Sequence, residues 1–217
     1  MHSFPRRTFG IAWFLAMFMP LTSSADEPPA ILQITIERIH AGGEARYDEL
    51  EKGMVETCVR LKCPNSYLAL ESVDTPKEVW WFVEYATDVE VKRIRQAYEQ
   101  NPSLLTALTD LAALKKGIAD TPVGHMTKHR ADLSIGAPWR VGTEPFVAIA
   151  TLAASGSVFE SVEHELFTVV SAASLLEADT VAATLGPTAR VFRVQPSWSR
   201  PAESWVAANP ELWQTRP

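Results

Sequence analysis

Alternating and periodic apolar positions divide most of the chain into strands and helices. Between residues 31 and 39, apolar β-branched residues alternate with polar ones, which predicts a strand. Between residues 44 and 61, apolar residues recur at spacings of three and four, which predicts an amphipathic helix that stops at Pro64. The same criteria predict strands at residues 66–72, 78–86 and 121–132 and helices at residues 88–100 and 102–117.

The order of these elements, β-α-β-β-α-α-β, predicts an α+β domain. It matches the ferredoxin-like split βαβ arrangement, in which helices cover the outer face of an antiparallel sheet. We therefore predict a complete ferredoxin-like domain at residues 26–132, followed by a linker containing glycine and proline at residues 133–144.

A shorter, divergent second ferredoxin-like half is predicted at residues 145–217. Its predicted elements are strands at residues 146–154, 167–172 and 190–195, a helix at residues 174–186 and a short helix within residues 205–213. An alternative assigns residues 157–173 to a helix and residues 180–185 to a strand, because apolar residues there also recur at helical spacing. The tetrapeptide at Asn101 (Asn-Pro-Ser-Leu) recurs at Asn209 as Asn-Pro-Glu-Leu, which supports two tandem halves.

The first 25 residues have the composition of a secretory signal peptide. Arg6 and Arg7 precede an apolar stretch at residues 9–21, and small residues lead to Ala25. This stretch is shorter than the ~20 apolar residues that a bilayer requires, so we predict cleavage after Ala25 rather than a membrane anchor. The general and the twin-arginine export routes both remain open. The expected location is the periplasm or, if the protein is secreted, the cell exterior.

The charge balance excludes partners that carry many negative charges. The chain has 20 basic and 26 acidic residues and a net charge of −6. The mature chain of 192 residues loses Arg6 and Arg7 but no acidic residue, which gives a net charge of −8. Such a surface repels nucleic acid and anionic lipid headgroups, so we predict no nucleic-acid binding and no membrane association after cleavage.

The only two cysteines, Cys58 and Cys63, lie at the end of a predicted helix. After export they would meet an oxidising compartment, which favours a local disulfide, with two buried free thiols as the alternative. In an unbroken helix their Cα atoms would lie about 8–9 Å apart, so a disulfide requires the helix to unwind near Leu61. A zinc site is not predicted, because this pair lacks a second pair of ligands.

The first half also resembles a known group of proteins in the pattern of its strands and turns. The likeness spans roughly residues 30–132 and is carried by the strands at residues 31–39, 67–72 and 79–85, Gly42-Gly43, the helix around Tyr47, and Tyr98 with Asn101-Pro102-x-Leu104. This pattern resembles the dimeric α/β-barrel superfamily, which includes antibiotic-biosynthesis-type monooxygenases. The resemblance implies two such domains paired into a barrel, as an internal pseudo-dimer or a homodimer, with a small ligand between sheet and helices. Its implied activities include cofactor-independent oxygenation of phenols, haem degradation, chlorite dismutation and simple binding.

Aromatic residues on the predicted strands are candidates for a ligand pocket. By the two-residue period, Trp81 and Tyr85 share one face of their strand and Trp80 lies on the other. Together with Tyr67 they can line an apolar pocket, with packing in the core as the alternative. Three tryptophans of the tail are expected to cover the second sheet or a subunit interface, namely Trp198, Trp205 and Trp213.

Three glutamates on the predicted strands are candidates for acid–base chemistry. They are Glu37, Glu71 and Glu84. A buried carboxylate requires a partner, for which Arg38 and Arg140 are candidates. A buried glutamate close to His125 would be a candidate general base.

Three histidines are candidates for ligand binding or catalysis. His125 and His129 share a face of their predicted strand but lie about 13 Å apart at 3.3 Å per residue, so they cannot bind one metal ion together. Either of them, or His40 beside the Gly42-Gly43 turn, is a candidate general base or haem ligand. Haem is the cofactor that the sequence leaves open, and no metal site is predicted.

Three hypotheses of function follow from these observations. The first is an exported protein that binds a small apolar or aromatic molecule, with no identifiable reaction. The second is a cofactor-independent monooxygenase-like enzyme that acts on phenolic substrates, and the third is a structural or interaction protein whose pocket is filled by its own side chains. The motifs of common hydrolases, nucleotide-binding enzymes and zinc proteases do not occur in the sequence.

Overall fold

The computed structural model describes residues 27–214, so the predicted leader at residues 1–25 lies outside the described residues. The strands are β1 Ile31–Arg38, β2 Leu68–Ser72, β3 Glu78–Tyr85, β4 Val123–His129, β5 Phe146–Ala150, β6 Ser157–Ser161, β7 Leu166–Ala172 and β8 Arg190–Val194. The helices are α1 Glu44–Leu61, α2 Asp88–Glu99, α3 Pro102–Ala113, α4 Leu175–Leu185, α5 Glu203–Ala208 and α6 Pro210–Gln214. None of the described helices is both long and apolar enough to cross a membrane.

The eight described strands close into one antiparallel barrel. Their order around the barrel is β1-β3-β2-β8-β5-β7-β6-β4, and the pairs β2–β8 and β4–β6 join the two halves of the chain. The predicted α+β class is confirmed. The two predicted halves contribute four strands each to this one closed barrel, since each half alone would leave two unpaired strand edges, which the other half satisfies.

The interior of the barrel contains the largest apolar cluster among the described residues. Alternate residues of each strand point inward, among them Ile34 of β1, Phe82 of β3 and Phe192 of β8, all fully buried. At one end of the barrel the interior is closed by a group that we call the tryptophan cap, which consists of Trp139, Val141, Trp205 and Trp213. Residues 133–144, predicted as a linker, therefore supply core side chains.

The leading interpretation left β6 unassigned, and the alternative interpretation of the same region is wrong. Residues 157–161 and 166–172 form an antiparallel pair of strands, whereas residues 180–185 belong to a helix. Ser157 and Ser161 occupy inward positions of β6 beside the apolar Phe159, and both serines are buried. Because these inward residues are polar, the alternation of apolar and polar residues that identifies a strand is lost.

The connection from β5 to β6 is a short loop, whereas the corresponding connection in the first half, from β1 to β2, contains helix α1. It crosses the outer face of β7, where the Ala154 N–H donates to Thr168 Oγ1 at 3.1 Å. Gly156 allows this close crossing, since a Cβ atom there would lie 2.5 Å from Val170 Cγ2. The predicted strand at residues 146–154 therefore ends at Ala150, and the loop packs beside helix α4, whose Leu185 shares an apolar cluster with Val170 of β7.

Helix α1 ends in a tight turn that brings the two cysteines together. Lys62 adopts a left-handed conformation with φ of 58°, and the Cys63 N–H donates to the Cys58 carbonyl at 2.9 Å. The Cα atoms of Cys58 and Cys63 are 4.7 Å apart, and their sulfurs form a disulfide. The helix thus unwinds just after Leu61, where the disulfide geometry requires it.

Candidate functional site

Three of the aromatic candidates lie on the outer face of the first-half strands. The Trp81 ring packs edge-on against Tyr67, with ring centroids 6.0 Å apart, and lies 5.7 Å from the Lys115 ammonium. The Tyr85 hydroxyl donates to Gln33 at 3.0 Å, and Tyr85 lines an open groove of about 550 Å³. Trp81 and Tyr85 share one face as predicted, but Trp81 does not line this groove.

Two polar candidates are used in surface interactions. Glu71 accepts a hydrogen bond from the Gln195 side chain and lies 4.0 Å from the Lys77 ammonium. His40 Nε2 lies 2.8 Å from the Asp120 carboxylate, and its hydrogen bond with Asp120 raises the pKa of His40. The structure does not bring either residue to the other candidates.

Trp80 and His129 are packed inside the barrel. The Trp80 ring contacts Phe192 at 5.2 Å and Phe167 at 6.0 Å between centroids. The His129 ring lies 5.4 Å from Phe159, and burial lowers the pKa of His129. Neither side chain lines one of the cavities described below.

His125 lies near the end of the barrel opposite the tryptophan cap, which we call the barrel mouth. It is on β4, opposite Ile34 of β1, and its ring packs against Phe167 with centroids 5.2 Å apart. Its side chain is 14% exposed, and its Nδ1 atom lies 2.8 Å from the Glu165 carboxylate. His125 is therefore nearly buried and has one carboxylate partner, which comes from the second half of the chain.

The barrel mouth contains an open cavity of about 530 Å³. Its apolar lining comes from Ile36, Leu152, Leu166 and Phe167, and its polar lining includes His125 and Glu165. The remaining lining residues are Thr151, Ala153 and His164. Concave sites with mostly apolar walls and a few polar groups are typical of small-molecule binding, and barrel mouths are one place where they occur.

A tight turn between β6 and β7 positions two carboxylates beside His125. The Ser161 hydroxyl accepts from the N–H groups of Glu163 and Glu165, each at 3.2 Å, and His164 between them is left-handed with φ of 64°. Donor atoms of His125, Glu163 and Glu165 all lie within 4.8 Å of one another. Sequence reasoning missed both glutamates, because only the pairing of β4 with β6 brings this turn to His125.

Glu84 lies at the capped end of the barrel. Trp205 Nε1 donates to its carboxylate at 3.1 Å, and Glu84 also lines the 550 Å³ groove. Burial raises the pKa of Glu84 to about 7, although the hydrogen bond from Trp205 opposes this shift. Glu84 is therefore a titratable group near neutral pH, but it is not among the residues that line the barrel mouth with His125.

A second group of polar residues is buried between β1 and helix α1. The Lys115 ammonium lies 2.8 Å from the Glu37 carboxylate and also contacts the Glu51 carboxylate. The Tyr47 hydroxyl donates to Glu37, and Lys115 lies 4.9 Å from the centre of the Tyr47 ring. The expected arginine partner of Glu37 is thus replaced by Lys115.

Two carboxylates, Glu37 and Glu51, share the single ammonium of Lys115 in this buried group. Burial raises the pKa of Glu51 to about 7, against the opposing effect of Lys115. Burial alone would lower the pKa of Lys115, but the Glu51 and Glu37 charges outweigh it and raise that pKa. The adjacent cleft measures only about 210 Å³. We therefore interpret this group as an ion-pair network that fastens α1 and the segment after α3 to the barrel.

The tail tryptophans contribute to two different regions. Trp198 packs against Tyr47 with ring centroids 5.6 Å apart and donates to Asp48 at 2.8 Å, so it covers the first half rather than the second. Trp205 and Trp213 belong to the tryptophan cap, with ring centroids 6.1 Å apart. Trp213 Nε1 donates to the Gly142 carbonyl at 3.0 Å.

Comparison with known proteins finds similarity only among solved structures. No family model and no curated protein matches the chain. A predicted monooxygenase of Fusobacterium nucleatum has a TM-score of 0.46 and 10% identity, over 77% of this chain and 92% of that chain. A mutant chlorite dismutase of Candidatus Nitrospira defluvii in complex with cyanide has a TM-score of 0.39 and 9% identity. The match covers 78% of this chain and 92% of that chain. A predicted chlorite dismutase has a TM-score of 0.40 and 12% identity. The match covers 82% of this chain and 97% of that chain. At such low scores and identities these similarities transfer no activity to this chain.

Proposed function

We propose that this chain is an exported protein that binds a small apolar or aromatic molecule in the barrel mouth. The observation that supports this most directly is the open cavity of about 530 Å³ with His125 near its base. Phe167 and Ile36 are lining residues that can contact the apolar part of the ligand. The His125 imidazole and the Glu165 carboxylate provide hydrogen-bonding groups for a hydroxyl or amine of the ligand.

The charge of the mouth favours a neutral or cationic ligand over haem. Glu165 lines the cavity and Glu163 lies beside it, whereas the nine lining residues include no arginine or lysine. Haem propionates would therefore meet carboxylates instead of cations. The described residues of the mouth thus fit haem poorly, although His125 supplies an imidazole.

The proposal includes export and an internal pseudo-dimer. The Cys58–Cys63 disulfide is consistent with an oxidising compartment, which here means the periplasm or the exterior of the cell. The strand orders β4-β1-β3-β2 and β8-β5-β7-β6 are the same when each half is numbered separately, as in two ferredoxin-like units.

Helix caps support the same relation between the halves. Thr87 after β3 and Ser174 after β7 each accept a hydrogen bond from the N–H of a glutamate three residues later, both at 3.2 Å. Asn101 and Asn209 cap the helices that follow them in the same way, at 3.2 and 3.1 Å. The capping residues thus recur in the two halves together with the strand order.

Cofactor-independent oxygenation of a phenol is the second candidate, and the pairing of His125 with Glu165 favours it. The Glu165 carboxylate lies 2.8 Å from Nδ1 of His125 and orients the imidazole ring. In this proposal His125 accepts the phenol proton, and a ring carbon of the phenolate forms a bond with dissolved oxygen, which is the oxidant. Loss of water from the resulting ring hydroperoxide then gives a quinone.

The binding proposal is tested with the purified mature chain, a panel of hydroquinones and hemin. We expect saturable hydroquinone binding by calorimetry that is lost in Ala153→Trp, which fills the rim of the mouth. Ala183→Trp, on the exposed side of α4, is the matched control and should bind normally. Absence of hydroquinone binding in the wild type, or unchanged binding in Ala153→Trp, contradicts the proposal.

Two further readouts of the same samples separate the alternatives. Oxygen uptake with a bound hydroquinone, lost in His125→Ala, would favour the oxygenase. A hemin absorption shift lost in His125→Ala would favour haem and contradict the charge argument.

A further inference from the structure

We propose that the barrel mouth holds a divalent first-row transition-metal ion on His125, Glu163 and Glu165. This inference rests on the proposed function in that the ion would lie at the rim of the same cavity. It goes beyond that function because it names a metal and the three residues that bind it.

The positions of the donor atoms carry the inference. His125 Nδ1 and the Glu165 carboxylate are 2.8 Å apart, and a Glu163 oxygen lies within 4.8 Å of both. Donors that bind one ion at about 2.0–2.2 Å lie roughly 3.0–3.5 Å apart in tetrahedral or octahedral geometry. A small rotation of the exposed Glu163 side chain therefore suffices to complete the set.

The backbone beneath these donors is well defined. His125 is on β4, which pairs with β1 on one side and β6 on the other, and its ring packs on Phe167. Hydrogen bonds to Ser161 hold the turn that carries Glu163 and Glu165. The ligands thus come from a buried strand position and from a braced turn, so binding requires no rearrangement of the barrel.

Among residues 27–214, no lysine or arginine forms an ion pair with Glu163 or Glu165, and His125 is the basic partner of Glu165. His164 Nδ1 lies 2.9 Å from the Glu160 carboxylate instead, and Arg130 pairs with Glu160 and with Asp132. The two carboxylates and the imidazole therefore form a local site with an excess of negative charge. A divalent cation would compensate this charge.

The donor set indicates the class of ion. One imidazole nitrogen and two carboxylates suit Zn²⁺, Mn²⁺ or Fe²⁺ better than Ca²⁺, which prefers oxygen ligands alone. Three protein ligands leave at least one coordination position for water or for a ligand in the cavity. The ion would thus place a Lewis acid at the edge of the proposed binding site.

The test uses the tag-free mature chain after chelation and dialysis, titrated with Zn²⁺ and with Mn²⁺ by calorimetry. We expect one ion per chain and a loss of affinity of at least about 100-fold in Glu163→Gln/Glu165→Gln, because changes of outer-shell partners alone cost 10–100-fold. The matched control is Glu203→Gln/Glu211→Gln, which removes two exposed carboxylates from α5 and α6 and should leave affinity unchanged. Mn²⁺ should also broaden the His125 imidazole resonances of the wild type but not those of the mouth variant.

The outcomes distinguish the metal from the proposed small molecule. No ion bound by the wild type, or equal affinity in the mouth and control variants, overturns the metal inference. Hydroquinone binding by the metal-free protein would then leave the proposed function intact. Metal binding with no hydroquinone binding, with or without the ion, would instead overturn only the proposed function. A folded circular dichroism spectrum and a cooperative thermal transition are required of every variant.

Discussion

The two ends of the barrel share the same interior but differ in what closes them. At one end the tryptophan cap fills the barrel with Trp139, Trp205 and Trp213. At the other end short connections leave a cavity of about 530 Å³ with His125 and Glu165 in its wall. The strands are alike at both ends, so the connections decide which end packs and which end can bind.

The largest expected effect concerns the filled end. Trp139 is 2% exposed and contacts Phe82 and Phe159, with ring centroids 5.4 and 6.0 Å away. Trp139→Ala should lower the free energy of unfolding by about 3–5 kcal/mol, measured by urea denaturation. Leu152→Ala, at the half-buried rim of the mouth, should cost only about 1 kcal/mol. Equal costs would show that both ends are packed alike.

An intermediate effect concerns pH at the capped end. Burial raises the pKa of Glu84 from an ordinary 4.5 to about 7. The protonated form is therefore favoured by folding, so its stabilising contribution is complete below pH 4.5 and is lost as the pH rises through 7. Glu84→Gln should remove on the order of 2 kcal/mol of this decline, measured by denaturation between pH 4.5 and pH 8.

The Glu84→Gln variant should keep a smaller decline of stability with rising pH, because burial also raises the pKa of Glu51. The control at the open end is Leu152→Ala, which removes no titratable group and should therefore leave the shape of the pH profile unchanged. An unaltered profile in Glu84→Gln would show that this carboxyl is well solvated.

The smallest effect concerns the metal-free mouth. Glu165 is 54% exposed, so Glu163→Gln/Glu165→Gln should change the free energy of unfolding of the metal-free protein by no more than about 0.5 kcal/mol. A loss of stability as large as that expected for Trp139→Ala would mean that these carboxylates stabilise the fold. The two ends would then not differ in their contribution to stability. Thermal melting with a chelator present provides the measurement.

Much of the first half could be predicted because its local patterns agree with its tertiary packing. The helix at residues 44–61 was predicted with the bounds of α1, since its periodic apolar face packs against the barrel. The cap residues Ser174 and Asn101 were recognised from local spacing alone, because a cap involves only the next three residues. In the second half, the inward serines interrupt the apolar alternation of β6, so the pattern does not predict this strand. Trp139 lies in residues 133–144, whose glycines and prolines predict a linker.

The candidate site was only partly predictable. His125 was selected from its residue type and strand position, and it does line the mouth. Trp80, His129, Trp81 and Glu71 had equal standing in the sequence, yet they pack in the core or pair on the surface. Glu163 and Glu165 were not selected, because an exposed acidic turn has no distinguishing local pattern.

The sequence by itself determined the α+β class, most of the elements and the order of those elements, because periodicity and capping act over a few residues. It also determined the acidic charge and the two cysteines at a helix end. Only the tertiary structure decided that the strands close into one barrel through β2–β8 and β4–β6. That closure depends on pairing between distant segments, and it brings the β6–β7 turn to His125. At the opposite end, tertiary packing joins Trp139 to the distant Trp205 and Trp213.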